Sequence, residues 1–176
     1  MPRIAVTGHV HVTEDVARWV TRALTERLRP PADRPLARPP HGVTCLAQGA
    51  DQIFAAVVLA LHGTVDVVLP ARDYAGRMAR TDNADAFSDL LGRAASVRTM
   101  PFDRSSREAY LAASESMLGE CDLLLAVWDG RPSRNVGDTA DVVAKARARR
   151  LPVEVVWPPS PPAGGPVRPA AAPGPG

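Results

Sequence analysis

Residues 121–158 constrain the fold more than any other part of the chain. An apolar run at 122–128 is followed by a polar loop at 129–137, a helical pattern at 138–150 and a second apolar run at 153–157. This order is typical of a βαβ unit, in which two parallel strands are joined by a helix. The loop leads into the helix N-terminus, where unpaired N–H groups and the positive end of the helix dipole favour an anion. The sequence therefore predicts a phosphate site after the first strand of this unit.

Strand and helix patterns also alternate along the rest of the sequence. The predicted strands before this unit lie at 4–7, 43–47, 65–69 and 97–100. The predicted helices lie at about 13–29, 51–61, 73–80, 82–94 and 105–119. Short β-branched runs separated by helices predict an α/β fold, a three-layer, Rossmann-like, doubly wound parallel sheet of about six strands. We expect the strand order 3-2-1-4-5-6, with the fourth strand beside the first.

Composition divides the chain into a folded domain at 1–158 and a tail at 159–176. The 176 residues are 45% hydrophobic, which is enough for a substantial core. The tail is nearly all Pro, Gly and Ala, so we expect it to be disordered. The sequence contains neither a run of membrane-spanning length nor a secretory signal, which predicts a cytoplasmic protein without a membrane partner.

Charge and spacing argue against several other classes of function. The net charge is only +2 and the arginines are scattered, so we do not expect a nucleic-acid partner. Cys45 and Cys121 are isolated, and His9 and His11 lack a third ligand, so no metal site and no cofactor is predicted. Neither a G-x-G-x-x-G nor a P-loop motif follows a predicted strand, which argues against dinucleotide-binding proteins and P-loop NTPases.

The candidate ligand-binding residues follow the carboxyl ends of the predicted strands, where doubly wound sheets bind ligands. They are Gly8, His9, Gln48, Gly49, Ala50, Asp51, Asp129, Gly130, Arg134, Gly137, Asp138 and Thr139. We expect His9 to donate a hydrogen bond to the ligand. Asp51 either contacts a ribose or caps its helix, and Thr139 either donates its hydroxyl to a phosphate or caps its helix.

Taken together, these loops resemble the SLOG superfamily of Rossmann-like nucleotide-binding proteins. The resemblance rests on Val-Thr-Gly-His at 6–9, Gln-Gly-Ala-Asp at 48–51, Leu-Ala-Val-Trp-Asp-Gly at 125–130 and Gly-Asp-Thr-Ala-Asp at 137–141. That superfamily includes the LOG-type phosphoribohydrolases and the DNA-processing proteins of the Smf/DprA type. The resemblance implies a nucleotide or nucleotide-derived phosphorylated ligand, with its phosphate at the loop before Thr139.

The chain departs from the superfamily pattern where charge and catalysis are concerned. Small relatives often read Gly-His-Arg after the first strand, where this chain has Val10. They usually carry glycine before the threonine, where Asp138 either repels a phosphate or caps the helix. The glutamate of the LOG-type motif falls at Val142. Binding without established catalysis is therefore the leading hypothesis.

Two other functions and an oligomeric state stay open. A nucleoside 5′-monophosphate phosphoribohydrolase, an N-glycosidase, is the alternative, and its weak catalytic candidates are Asp51, Asp129 and Asp141. A DNA-associated module is a third hypothesis, although the sequence lacks a basic stripe with interleaved aromatic residues. A homo-oligomer is also expected. Phe87, Leu90 and Leu91 on the helix at 82–94 form either a dimer surface or a face packed on their own sheet.

Overall fold

The computed structural model describes residues 2–29, 38–132 and 138–159. Its strands are β1 (Arg3–Gly8), β2 (His41–Thr44), β3 (Thr64–Leu69), β4 (Ser96–Thr99), β5 (Leu123–Val127) and β6 (Val153–Val155). Its helices are α1 (Glu14–Leu28), α2 (Ala50–Ala60), α3 (Tyr74–Met78), α4 (Ala84–Gly92), α5 (Arg107–Leu118) and α6 (Thr139–Ala148). The strands form one parallel sheet in the order β4-β3-β2-β1-β5-β6. The predicted α/β fold with a Rossmann-like parallel sheet is therefore confirmed.

Helices cover both faces of the sheet, which gives the three predicted layers. On one face, α1, α2 and α4 pack through large side chains that include Leu24, Phe54 and Phe87. On the other face, α5 and α6 pack through Met117 and Val142. The central strands are buried on both sides, and this explains why they read as continuous apolar runs in the sequence.

The predicted strand order was wrong at one position, because β5 and not β4 lies beside β1. The register pairs Ala5 of β1 with Leu124 of β5, and both residues are fully buried. By contrast, every residue of β4 is exposed, including Arg98. A central position would bury that arginine between helices without compensation. β4 therefore forms the edge of the sheet and pairs only with β3.

The helix at 82–94 packs on its own domain. It is observed as α4, and its Phe87 and Leu90 are buried in the core beside α2. The expected homo-oligomer stays a prediction. No helix in the described ranges is long and apolar enough to cross a lipid bilayer. The predicted disorder of the tail also stays a prediction, because residues 160–176 lie outside the described part of the chain.

The β1 and β5 loops leave the sheet in opposite directions. β1 leads to α1 on one face, and β5 leads to α6 on the other face. This is the switch point of the sheet, since the next strand after β1 is added on one side and the next strand after β5 on the other. Loops that diverge in this way leave a crevice at the carboxyl ends of the strands, where ligands bind in open α/β sheets.

Candidate functional site

Cavities open on both sides of the switch point. The first, which we call the β5 cavity, has a volume of about 330 Å³ and is lined by Trp128, Asp129, Arg131 and the start of α6. The second, which we call the β1 cavity, has a volume of about 320 Å³ and lies between the Gly8 turn and helix α5. Both cavities are lined by His9, Asp138 and Thr139. The two cavities therefore meet at the N-terminus of α6, and their volumes lie in the range of small-ligand sites.

The start of α6 resolves two of the alternatives that the sequence left open. Asp138 is the N-cap, and its side chain accepts a hydrogen bond from the Asp141 N–H at 3.1 Å. Thr139 is therefore the first residue of the helix and not its cap. Within the described ranges, no residue accepts a hydrogen bond from the Thr139 or Ala140 N–H, or pairs with the Thr139 hydroxyl. These groups line the β5 cavity and form a small anion-binding arrangement at a helix N-terminus.

Carboxylates offset the positive end of the helix in the β5 cavity. Asp129 and Asp138 both line it, and Arg131 is the cation among the described lining residues. The Arg131 Nε lies 3.2 Å from Asp129 Oδ2, and its backbone N–H donates to Oδ1. The Arg131 side chain is 80% exposed, so this ion pair is well screened by solvent. The β5 cavity is therefore not strongly cationic, and an anion there depends mainly on the α6 backbone.

His9 connects the β1 and β5 loops. Its N–H donates to the Val127 carbonyl at 3.1 Å, and its Nε2 accepts from the Asp129 N–H at 3.3 Å. The ring lies edge-on to Trp157, with 5.2 Å between the ring centroids. The same Nε2 also lies 3.3 Å from Asp129 Oδ1, so this nitrogen is already used within the protein. A hydrogen bond from His9 to a ligand would therefore come from Nδ1.

The Gly49 turn holds the β1 loop in place. Gly49 has φ of +83°, and a Cβ there would lie 2.4 Å from the Val10 carbonyl oxygen. The Ala50 N–H donates to the His9 carbonyl at 3.1 Å, so it is already used within the protein. A Cβ at Gly8 would lie 2.4 Å from the Ala50 Cβ. Gly8 and Gly49 thus let the β1 and β2 loops approach closely, and only Gly8 of the two lines a cavity.

Several sequence-predicted residues do not line either cavity. Gln48 is exposed and is not part of either lining, and the same holds for Gly49, Ala50 and Gly130. Asp141 also lies outside both, and its carboxylate is 3.4 Å from Lys145 on the same helix. The remaining predicted residues, Arg134 and Gly137, lie outside the described part of the chain.

Asp51 is a buried carboxylate beside the β1 cavity. It is only 7% exposed, and its Oδ2 accepts from the Thr44 hydroxyl at 3.0 Å and from the Cys45 N–H at 3.2 Å. Burial raises the pKa of Asp51 to about 6, although these hydrogen bonds and one from the Ala47 N–H act to lower it. Asp51 therefore does not cap α2, whose N-cap residue is Gly49. It forms part of the cavity wall.

Other cavity residues were missed in the sequence. Trp128 lines the β5 cavity, and Thr7, Tyr110 and Ser114 line the β1 cavity. Thr7 and Trp128 could have been found, since each lies at the carboxyl end of a predicted strand. Tyr110 and Ser114 lie on α5, whose position over the sheet only the tertiary structure provides. Among the described residues, no group of His, Cys, Asp and Glu side chains is arranged to hold a metal ion.

Comparison by sequence finds nothing, because no family model and no curated protein matches the chain. Comparison by structure finds DNA processing protein A from Streptococcus pneumoniae, with a TM-score of 0.63 and 15% identity over 88% of this chain and 50% of that one. The same protein from Helicobacter pylori gives 0.59 and 14% over 88% and 64%. The Moco carrier protein from Chlamydomonas gives 0.51 and 17% over 88% and 74%. This chain thus spans half the length of the first protein and under two thirds of the second.

These likenesses correct one prediction about partners. The Helicobacter protein is described by its single-stranded DNA binding mode. The expectation that nucleic acid is not a partner was therefore wrong, because the weak overall charge that supported it does not exclude this ligand for the fold. The structural neighbours are SLOG superfamily members, and the resemblance read from the four loop sequences is confirmed at the level of the fold. The chain has a three-layer Rossmann-like fold that is similar to the folds of these structures.

Proposed function

We propose that this chain binds a phosphorylated nucleotide, with the phosphate at the N-terminus of α6 and the nucleoside in the adjoining β1 cavity. The observation that carries the proposal is the junction of the two cavities at Thr139. At that junction, the N–H groups of Thr139 and Ala140 and the Thr139 hydroxyl have no partner among the described residues. These donors suit phosphate oxygens, and the apolar residues of the β1 cavity suit the less polar part of a nucleoside.

Asp138 sets an upper limit on the affinity for phosphate. A carboxylate about 5 Å from a phosphate charge, at an effective dielectric constant near 20, opposes binding by about 3 kcal/mol. A helix N-terminus contributes about 0.3–1 kcal/mol at an exposed site and up to about 2 kcal/mol when partly buried. Repulsion of this size would exceed the attraction of the helix dipole, so phosphate binding depends on direct hydrogen bonds from the Thr139 and Ala140 groups, and we expect it to be weak. Asp138→Asn keeps an N-cap side chain and removes the charge, so it should tighten binding.

Isothermal titration calorimetry with nucleoside 5′-monophosphates tests this function. We expect the unphosphorylated nucleosides to bind at least tenfold more weakly than the monophosphates. Thr139→Val should weaken binding, because it removes a hydroxyl of the proposed phosphate site with little change in shape. Thr99→Val, on the exposed edge strand β4, is the matched control and should bind like the wild type. Equal binding of nucleosides and monophosphates, or no binding of either, would contradict the proposal.

We do not extend the proposal to N-glycoside hydrolysis. That chemistry needs a carboxylate near the anomeric carbon or the attacking water. Val142, which stands where the LOG-type motif has its glutamate, is buried and lines the β1 cavity. Asp141 pairs with Lys145 outside both cavities, and Asp129 contacts Arg131. Of the three candidate carboxylates, Asp51 is the one that lines the β1 cavity, so any release of base would implicate Asp51. Chromatography of the titration mixtures for free base checks this point directly.

Single-stranded DNA is a second candidate ligand, favoured by one feature of the β1 cavity. Tyr110 lines this cavity and is 39% exposed. Burial raises the pKa of Tyr110, and the positive charge of Arg77 acts to lower it. The charges of Arg77 and Arg104 also help to lower the pKa of Asp73, after its hydrogen bonds from Ser105. Arginines therefore lie near this ring. An exposed aromatic ring beside arginines is the combination that single-strand binding surfaces use. The described binding mode of the Helicobacter protein supports the same candidate.

Fluorescence anisotropy with a labelled oligodeoxythymidylate tests the second candidate. Binding should weaken steeply between 50 and 200 mM salt, since neutralising phosphates releases counterions. Arg77→Ala should reduce both the affinity and its salt dependence. Arg18→Ala is the control, because Arg18 lies on α1 and pairs with Glu14. Absence of salt-dependent binding would remove single-stranded DNA from consideration.

A further inference from the structure

Of the two carboxylate oxygens of Asp51, one accepts hydrogen bonds from the described residues and the other accepts none. Its hydrogen bonds from Thr44, Cys45 and Ala47 all fall on Oδ2. Across the described ranges, Oδ1 has no hydrogen-bond partner, although the residue is only 7% exposed. Among the described residues, Arg3 Nε is the fully buried side-chain atom that lacks a partner, so the unpaired Oδ1 of Asp51 is not sealed inside the protein and a ligand can reach it. Because Asp51 lines the β1 cavity, that ligand would lie in the cavity.

Hydroxyl groups without partners lie in the same cavity. Thr7 and Ser114 line it, and neither side chain hydrogen-bonds any other described residue. The remaining wall is apolar and includes Val6, Met117 and Val142. Burial raises the pKa of Asp51 to about 6, so near pH 8 the side chain is an ionised group that can only accept hydrogen bonds. A ligand that fits this cavity therefore donates a hydrogen bond to Asp51 and carries further polar groups that contact Thr7 and Ser114.

We propose that Asp51 determines specificity for the sugar, its Oδ1 accepting a hydrogen bond from the vicinal hydroxyls of a ribose in the β1 cavity. The inference rests on the proposed nucleotide binding and goes further, because it selects ribonucleotides over deoxyribonucleotides. A single free carboxylate oxygen next to two free hydroxyls fits a diol, whose groups both donate and accept. Asp51 also follows β2, and acidic residues after the second strand bind ribose hydroxyls in dinucleotide-binding sheets.

The consequence for the ligand is a measurable discrimination between sugars. A deoxyribose would cover Oδ1 without donating a hydrogen bond to it, and polar groups that a ligand buries without a partner are a strong source of rejection in binding sites. We expect removal of a sugar hydroxyl to weaken binding by about 10- to 100-fold. Single-stranded DNA lacks the 2′-hydroxyl. A hydrogen bond between Asp51 and that hydroxyl would therefore favour a free ribonucleotide over DNA as the ligand of the β1 cavity.

Calorimetric titration with ribonucleoside, 2′-deoxy and 3′-deoxy 5′-monophosphates of one base tests the inference. In the wild type, we expect at least one deoxy analogue to bind at least tenfold more weakly than the ribonucleotide. In Asp51→Leu, which has a similar shape and no polar side-chain atom, the ribonucleotide and both analogues should bind within about threefold of each other. Asp85→Asn, on the exposed first turn of α4, is the matched control and should discriminate like the wild type.

The outcomes separate this inference from the proposed function. If all three sugars bind the wild type with similar affinity, the ribose inference is wrong while nucleotide binding stands. If discrimination persists in Asp51→Leu, another group binds the sugar hydroxyls and the inference is also wrong. If no monophosphate binds the wild type, both are wrong. Should Asp51→Leu fail to fold, Asp51→Glu, which displaces the carboxylate by one methylene group, replaces it, and an unchanged ratio of affinities there overturns the inference.

Discussion

Replacing Asp51 by asparagine should stabilise the protein at neutral pH. The side chain is buried, and its Oδ2 accepts from the Thr44 hydroxyl and two backbone N–H groups. The oxygen of an asparagine can accept the same hydrogen bonds, while its NH₂ group faces the β1 cavity. The substitution therefore keeps the contacts of Oδ2 and removes only the buried negative charge.

The expected gain follows from the pKa of this carboxyl. Burial raises it from 3.8 to about 6. Since a tenfold change in the ionisation constant corresponds to 1.36 kcal/mol, keeping Asp51 ionised costs the folded state about 3 kcal/mol at neutral pH. We expect Asp51→Asn to recover between about 1 and 3 kcal/mol of this, because the amide is also a polar group in a partly apolar site.

The gain should depend on pH in a defined direction. Between pH 3.8 and about 6, the folded state binds more protons through Asp51 than the unfolded state does, so its contribution to the free energy of unfolding falls as the pH rises. Below about pH 4 the group is protonated in both states, and the difference between Asp51→Asn and the wild type should disappear. Above about pH 6 the difference should reach a constant maximum.

Urea unfolding followed by circular dichroism, at intervals from pH 4 to pH 8, measures this difference. Subtracting the wild-type values removes the contributions of other titrating groups, and Asp85→Asn controls for the loss of one exposed carboxylate. The reasoning is refuted if Asp51→Asn is less stable than the wild type at pH 7.5. It is equally refuted if the difference is the same at pH 4 and pH 7.5, because a buried charge cannot produce that result.

Substitutions at Gly8, Asp138 and Asp66, two of them with a control variant, test the rest of the fold. Gly8→Ala places a Cβ 2.4 Å from the Ala50 Cβ and should lower the free energy of unfolding by about 1–3 kcal/mol in urea denaturation. Gly76→Ala is the control, since a Cβ there has nothing within 4 Å, and it should change this free energy by less than about 1 kcal/mol. Asp138→Ala removes the N-cap of α6 and should cost about 1 kcal/mol by thermal denaturation, while Asp138→Asn should retain most of it; equal losses would show that the cap is not formed. Asp66→Asn should cost about 1–2 kcal/mol near pH 7, since Asp66 accepts from His41 at 2.7 Å. Burial alone would raise the pKa of Asp66, but its hydrogen bonds and neighbouring positive charges outweigh this and lower it, so the cost should fade as the pH drops below about 4.

A destabilising group inside a cavity has a physical interpretation. An apolar residue or an asparagine at position 51 would relieve the folded state of a buried charge, yet the chain carries an aspartate there. Strongly shifted pKa values of this kind concentrate in functional sites, where stability is given up for binding or chemistry. Burial and the charge of Asp51 also raise the pKa of the neighbouring Cys45 thiol.

The local sequence was sufficient for the elements and for the edge of the sheet that carries the site. The periods of helices and strands depend on neighbours within a few residues, so α1 with its Thr13 cap and the βαβ unit of β5, α6 and β6 were predicted without knowledge of the fold. The carboxyl ends of parallel strands meet at one edge, and this rule alone brought His9, Asp51 and Asp138 into one region.

Only the tertiary structure decided which groups in that region are already used. It moved β4 to the edge of the sheet, placed Tyr110 and Ser114 of α5 over the β1 cavity, and assigned the Ala50 N–H to the His9 carbonyl. It also left one oxygen of Asp51 unpaired. The physical reason is that hydrogen bonding and burial are settled between segments far apart in the chain, whereas residue type and spacing record only what each segment can offer.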